Sequence, residues 1–149
     1  MIVHETTATA DLLVDLDEAM AREAEDAHRY LALARRAGET SAPALAAFFA
    51  KASDAKWGHV AALMRRVVDL GGAPRLARPG QAGEPLDVAD MRDALEGCRE
   101  RERGAIRLFS DLLDKVRESD EDTSELALRA MLEGVTEEDE IERMLAELR

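Results

Sequence analysis

Residues 43–72 read PALAAFFAKASDAKWGHVAALMRRVVDLGG. Within this stretch Leu45, Phe49, Ala52, Lys56, His59, Leu63, Val67 and Leu70 recur at intervals of three and four. That spacing places them on one face of an α-helix. Thr40 and Ser41 can cap its start, Pro43 suits the first turn, and Gly71-Gly72 stops it. The reading predicts a helix over 43–70. Its inward face is apolar except at the middle, where Lys56 and His59 stand.

The same interval recurs along the rest of the chain. A first helix is predicted over about 9–37, ending at Gly38, with Leu16, Met20, Glu23, Ala27, Tyr30 and Ala34 on its seam. A third, over 87–118 with Asp87 as a cap, carries Val88, Met91, Leu95, Cys98, Glu102, Ala105, Phe109, Leu112 or Leu113, and Val116. A fourth, over 124–148, follows the acidic turn 119–123. Its pattern is mixed. Leu128, Leu132 and Val135 set one phase, and Ile141, Met144, Leu145 and Leu148 set another, slipped by about one residue. The slip reads either as a π-bulge or as a wide apolar face. Glu137, Glu138, Asp139 and Glu140 lie between, and at least one of these carboxylates is expected to face inward or sideways.

Segment 71–86 holds three of the four Pro and four of the nine Gly, and reads as an extended crossing. Two short links and one long one give an all-α four-helix bundle, up-down-down-up, with the crossover between the second and third helices. The whole chain, 1–149, reads as a single domain.

Composition agrees. Apolar residues are 46% of the chain, enough for a core, and aromatics only 3%. The abundance of Ala, Leu, Glu and Arg favours helix over strand. The longest run without a charged residue, 40–50, is 11 residues. A membrane-spanning helix needs about 20, so no membrane span and no secretory signal are expected. Net charge is −12, which repels nucleic acid and anionic lipid and attracts cations. The one cysteine, Cys98, cannot form an internal disulfide, so a cytoplasmic location is expected.

Three predicted seams carry charge at similar depth: Glu23 on the first helix, Lys56 and His59 on the second, Glu102 on the third. Buried charges cost several kcal/mol each unless paired or metal-bound, roughly as measured for isolated ions. A shared polar site is the economical reading.

Several local motifs resemble the ferritin-like superfamily, and bacterioferritin most nearly. Glu23 followed by Tyr30 resembles the first-helix ligand and its tyrosine. Residues 52–59, ASDAKWGH, fall where the family has its second-helix Glu-x-x-His. LGGAPRL at 70–76 resembles the opening of the long crossover, and DVADM at 87–91 the start of the third helix. ERGAI at 102–106 resembles the third-helix ligand, and EEDEI at 137–141 the fourth-helix Glu-x-x-His-Ile.

The resemblance implies an iron-binding, iron-oxidising protein with an altered metal centre. It has a ferroxidase-type activity if the site binds iron. The implied ligands are Glu23, His59, Glu102, Glu137 and Glu140, with Tyr30 behind them. Two positions depart from the family: Lys56 stands where a carboxylate bridges the metals, and Glu140 where the second histidine binds. Trp57 stands where bacterioferritin has its haem methionine, so no haem is expected. The alternative is a metal-free bundle in which Lys56 is a buried counter-ion replacing the metals, with a structural or interaction role. The resemblance also implies a homodimer or larger homo-oligomer. Leu12, Leu13, Leu31, Leu33, Phe48 and Val60 lie off the seams; some of them are expected to stay exposed, and a homodimer is expected with the first and second helices at its interface.

Overall fold

The computed structural model describes residues 7–40, 42–75 and 91–148. They form four helices: α1 (Thr7–Glu39), α2 (Pro43–Asp69), α3 (Met91–Val116) and α4 (Glu121–Glu147). The first two match the sequence reading within two residues. The expected start of α3, residues 87–90, and most of the crossover lie outside the described residues. Gly71, at φ 88°, closes α2 in the left-handed conformation that glycine adopts without strain. Its N–H and that of Gly72 cap the carbonyls of Val68 and Val67 at 2.9 Å.

Helix α4 opens at Glu121, three residues before its expected start. The reason is Asp120, whose carboxylate accepts from the Thr123 backbone N–H at 3.0 Å and the Thr123 hydroxyl at 2.6 Å. Arg66 of α2 donates to the same carboxylate at 2.9 Å. The stretch 121–123, expected as a turn, is therefore the first turn of the helix.

Cross-helix contacts set the directions. His59 reaches Glu23 and Trp57 meets His28, so α1 and α2 run antiparallel. Asp15 pairs with Lys115 and Asp26 with Arg101, so α1 and α3 do as well. Arg103 pairs with Glu138 and Arg99 with Glu142, which reverses α4 against α3. The bundle is thus up-down-down-up, and α2 and α3 run parallel.

The core is two apolar clusters with a charged layer between them. One contains Leu16, Met20, Leu63, Val67, Phe109 and Leu112. The other contains Tyr30, Phe48, Phe49, Leu95, Cys98 and Ile141.

One sequence expectation is corrected here and another is narrowed. On α4 the buried seam is Thr123, Ala127, Ala130, Gly134, Glu137, Ile141 and Leu145. It runs through the helix without a slip or π-bulge, while Leu128, Leu132 and Val135 are exposed. Small residues win because α4 packs closely on α3. A Cβ at Gly134 would stand 3.0 Å from Ile106 Cγ1 and 3.4 Å from Glu102 Oε2. On α1 and α2, Leu33, Phe48 and Val60 are buried within the chain, and Leu12 and Leu13 are partly covered by its core. Leu31 stays exposed, joined by Val14, Trp57 and Val68. Among the described residues no helix is long and apolar enough to cross a membrane.

Candidate functional site

The charged layer gathers one or two side chains from each helix. Lys56, 1% exposed, projects from α2 into the middle of the bundle. Its Nζ lies 3.0 and 3.1 Å from the two oxygens of Glu102 on α3. It also lies 3.3 Å from Glu23 Oε2 on α1 and 3.8 Å from Glu137 Oε2 on α4. One turn along α2, His59 Nδ1 bonds Glu23 Oε1 at 2.6 Å, and Nε2 meets Glu133. The Tyr30 hydroxyl donates to Glu102 Oε1 at 2.7 Å. Glu23, Lys56, His59, Glu102, Glu137 and Tyr30 therefore meet in one network. Glu140 does not reach it: it is half-buried along the groove between α2 and α4.

This layer is built by seam residues. Each helix presents an apolar stripe inward, and a charged residue at mid-stripe has no route to water. Ser53, also buried on α2, turns its hydroxyl to the Ala27 carbonyl at 2.8 Å and ties α2 to α1 beside the site. Gly134 gives α4 the close approach that brings Glu137 into the layer.

The electrostatics follow from crowding. Burial works against charge on Lys56, yet Glu23, Glu102 and Glu137 outweigh it and hold the ammonium well above its ordinary pKa. Burial likewise opposes charge on His59, but its bonds to Glu23 and Glu133 raise its pKa. Glu23 is the counterpart: burial pushes it up, and the His59 bond and Lys56 charge pull it lower still. Glu137 is different. Burial first, and the neighbouring Glu102 second, push it up to about 9 against the pull of Lys56. Lys56 is too distant at 3.8 Å to offset both. Glu137 is thus the carboxyl of the layer that burial and Glu102 most oppose ionising, while Lys56 lies closest to Glu23 and Glu102.

Glu133 is the participant that the sequence reading missed. It lies one turn before Glu137, and its placement became legible only with the true seam of α4. A second pair, Arg101 with buried Asp26, was also missed. Burial raises Asp26 against the pull of Arg101. Cys98 fills the core, and His28 sits exposed, edge-on to Trp57 at 5.1 Å.

A groove of about 1130 Å³ opens beside the layer, between α2 and α4. Ala52, Ala55, Gly58 and Ala62 floor it, and His59 and Glu133 reach it from the site.

An up-down-down-up bundle of four long helices with carboxylates converging at mid-height defines the class of ferritin-like bundles. Residues 14–149 match the family model described as the ferritin-like domain, and the chain belongs to that family. A search of curated proteins finds no significant match.

The family's metal pair requires a Glu on each of two helices and a Glu-x-x-His on each of the other two. The donors here do not fit it. An ammonium has donors only and cannot ligate a metal while charged, and Lys56 Nζ stands between Glu23 and Glu102. Among the described residues no group of three or more His, Cys, Asp or Glu side chains is placed to hold a metal ion.

Proposed function

We propose that this chain is a metal-independent ferritin-like bundle, in which Lys56 and His59 supply the positive charge that metal ions supply in its relatives. Its role is then structural or interactive rather than oxidative. One observation carries the reading: Lys56 Nζ sits within 3.3 Å of both Glu23 and Glu102 and is sealed from water. A buried ammonium held by carboxylates from two other helices registers those helices against each other. It leaves the carboxylates compensated without any metal.

The family supports a second reading. Ferritin-like proteins commonly bind iron, and Glu23, His59, Glu102 and Glu137 are oxygen and nitrogen donors at one depth. An altered iron-binding, iron-oxidising centre would require Lys56 to leave the carboxylates. The −12 charge of the chain would favour Fe(II) arriving as substrate.

Metal content separates the two. Protein purified aerobically with added Fe(II) is expected to hold far less than one iron per chain. It should show no absorbance band of oxo-bridged iron, and its Tm should be unmoved by Fe(II). The Lys56→Glu variant, which restores a carboxylate, is expected to gain Fe(II)-dependent stabilisation. Stoichiometric iron in the wild type, with a Tm raised by Fe(II), would establish the second reading instead.

A further inference from the structure

The exposed side of α4 carries a second pattern. Glu121, Glu125, Leu128, Leu132, Val135 and Asp139 follow at intervals of four, three, four, three and four. This is the spacing of a helix seam that meets another helix, yet nothing among the described residues covers it. Leu128, Leu132 and Val135 are 42%, 55% and 42% exposed. The ridge spans nineteen residues, 121–139, about 27 Å from end to end at roughly 1.5 Å rise per residue.

Charge decides what can cover it. Helix α4 has ten acidic residues and two basic ones. Its ion pairs among the described residues use Asp122, Glu133, Glu137, Glu138 and Glu142. Glu121, Glu125 and Asp139, at the two ends of the apolar ridge, take part in none of them. The same ridge of a second copy is a poor occupant. Laid antiparallel with Leu128 on Leu132, it sets Glu121 against Asp139; laid parallel, it sets each carboxylate on its equal. Like charges opposed across an interface disfavour that pairing strongly. An anionic membrane is repelled for the same reason.

We propose that this ridge docks an amphipathic helix of another protein, with an apolar three-four seam at its centre and Lys or Arg at both ends. Three aliphatic residues in the middle give contact, and the carboxylates at each end set register and reject acidic partners. The proposal names a surface for the interaction role above and rests on that reading for its purpose. The partners of Lys56 are Glu23, Glu102 and Glu137, none of them a ridge residue, so iron binding at the centre and peptide binding at the ridge are read by separate measurements.

The test uses two fluorescein-labelled helical peptides of about 21 residues, both with Leu and Val at the central seam positions. One has Lys at its ends and the other Glu. Fluorescence anisotropy is expected to show the Lys-ended peptide binding the full-length protein in roughly the micromolar range. Binding should weaken by about tenfold or more in Leu132→Glu protein and in about 0.5 M salt. Leu132 is exposed, so an unchanged circular dichroism spectrum checks that the variant folds. Four results would overturn the proposal. These are no binding by the Lys-ended peptide, equal binding by the Glu-ended peptide, equal binding by Leu132→Glu protein, and self-association of wild type that Leu132→Glu abolishes. Leu132-dependent binding to neutral phosphatidylcholine vesicles would assign the ridge to a lipid surface and also overturn it.

Discussion

At the scale of single residues, Lys56 is the centre of the molecule's electrostatics. Replacing it with Met leaves Glu23, Glu102 and Glu137 around an uncharged side chain. Removing one partner of a buried charge network costs about 3–5 kcal/mol. Lys56→Met should therefore show a large drop in Tm, part of it recovered when Zn(II) or Fe(II) enters among the freed carboxylates. A small drop would mean that Lys56 reaches water in solution. Glu137 and His59 make a second prediction, on pH. Both have folded pKa values above their ordinary ones, Glu137 at about 9. The folded state thus binds more protons than the unfolded chain, and stability falls as pH rises. For Glu137 that loss runs from the ordinary 4.5 up through about 9; for His59 it starts near its ordinary 6.5. Glu23 has the opposite sign, and its contribution is lost only in acid. The groups facing Glu137 are Glu23 from α1, Lys56 from α2 and Glu102 from α3, with Glu133 on its own helix. Tm should decline between about pH 6 and pH 9, and Glu137→Gln, neutral throughout, should flatten that decline. An unchanged slope in Glu137→Gln would show that its carboxyl is already ionised near neutrality.

At the scale of helices, α1, α2 and α3 were legible in sequence because one apolar phase dominates each. Their charged residues were legible as a set because Glu23, Lys56, His59 and Glu102 interrupt those phases at one depth. Helix α4 was not, because it carries two phases and the larger side chains lie on the outward one. Size at the contact decides the matter: Ala127, Ala130 and Gly134 let α4 approach α3, and the bulkier Leu128, Leu132 and Val135 turn away. Misreading that phase also hid Glu133, whose contact with His59 follows from the true seam. The start of α4 was hidden for a different reason. Asp120 looks like one more acid in an acidic turn until Arg66 of α2 and Thr123 converge on it. The seam assignment is checked by two substitutions on one helix. Gly134→Leu must force Ile106 and the Glu102 carboxylate apart, an overpacking cost of about 1–3 kcal/mol. Leu132→Ser, on the exposed side, should change stability by no more than about 0.5 kcal/mol. Chemical denaturation of both variants measures this, and the reverse order would put Leu132 rather than Gly134 in the core.

At the scale of the whole molecule, the pair α1 and α2 presents a second apolar face that nothing among the described residues covers. Val14, Leu31, Trp57 and Val68 are 64%, 55%, 37% and 55% exposed. Trp57 and Val68 lie three turns apart on one side of α2, and Trp57 packs its ring edge-on to His28 of α1, so the face bridges both helices. Unlike the ridge on α4, it does not end in unpaired carboxylates on the seam. Arg35 and Glu39 pair on α1 beyond Leu31, and Asp54 stands three residues before Trp57 on α2, so both signs border it. A mixed rim around exposed Trp and aliphatic residues suits an isologous contact, in which each charge meets its complement from the second copy. A homodimer through α1 and α2 is the expected state at micromolar concentration, with Trp57 near its centre. Light scattering should give twice the 16.4 kDa chain mass for wild type. Trp57→Glu, changing a side chain that is 37% exposed in the monomer, should give the monomer mass while circular dichroism stays helical. Leu132→Glu on α4 should leave the dimer intact. Loss of the dimer in Leu132→Glu but not in Trp57→Glu would move the homotypic contact to α4, and it would leave the α1 and α2 face as the surface for a different partner.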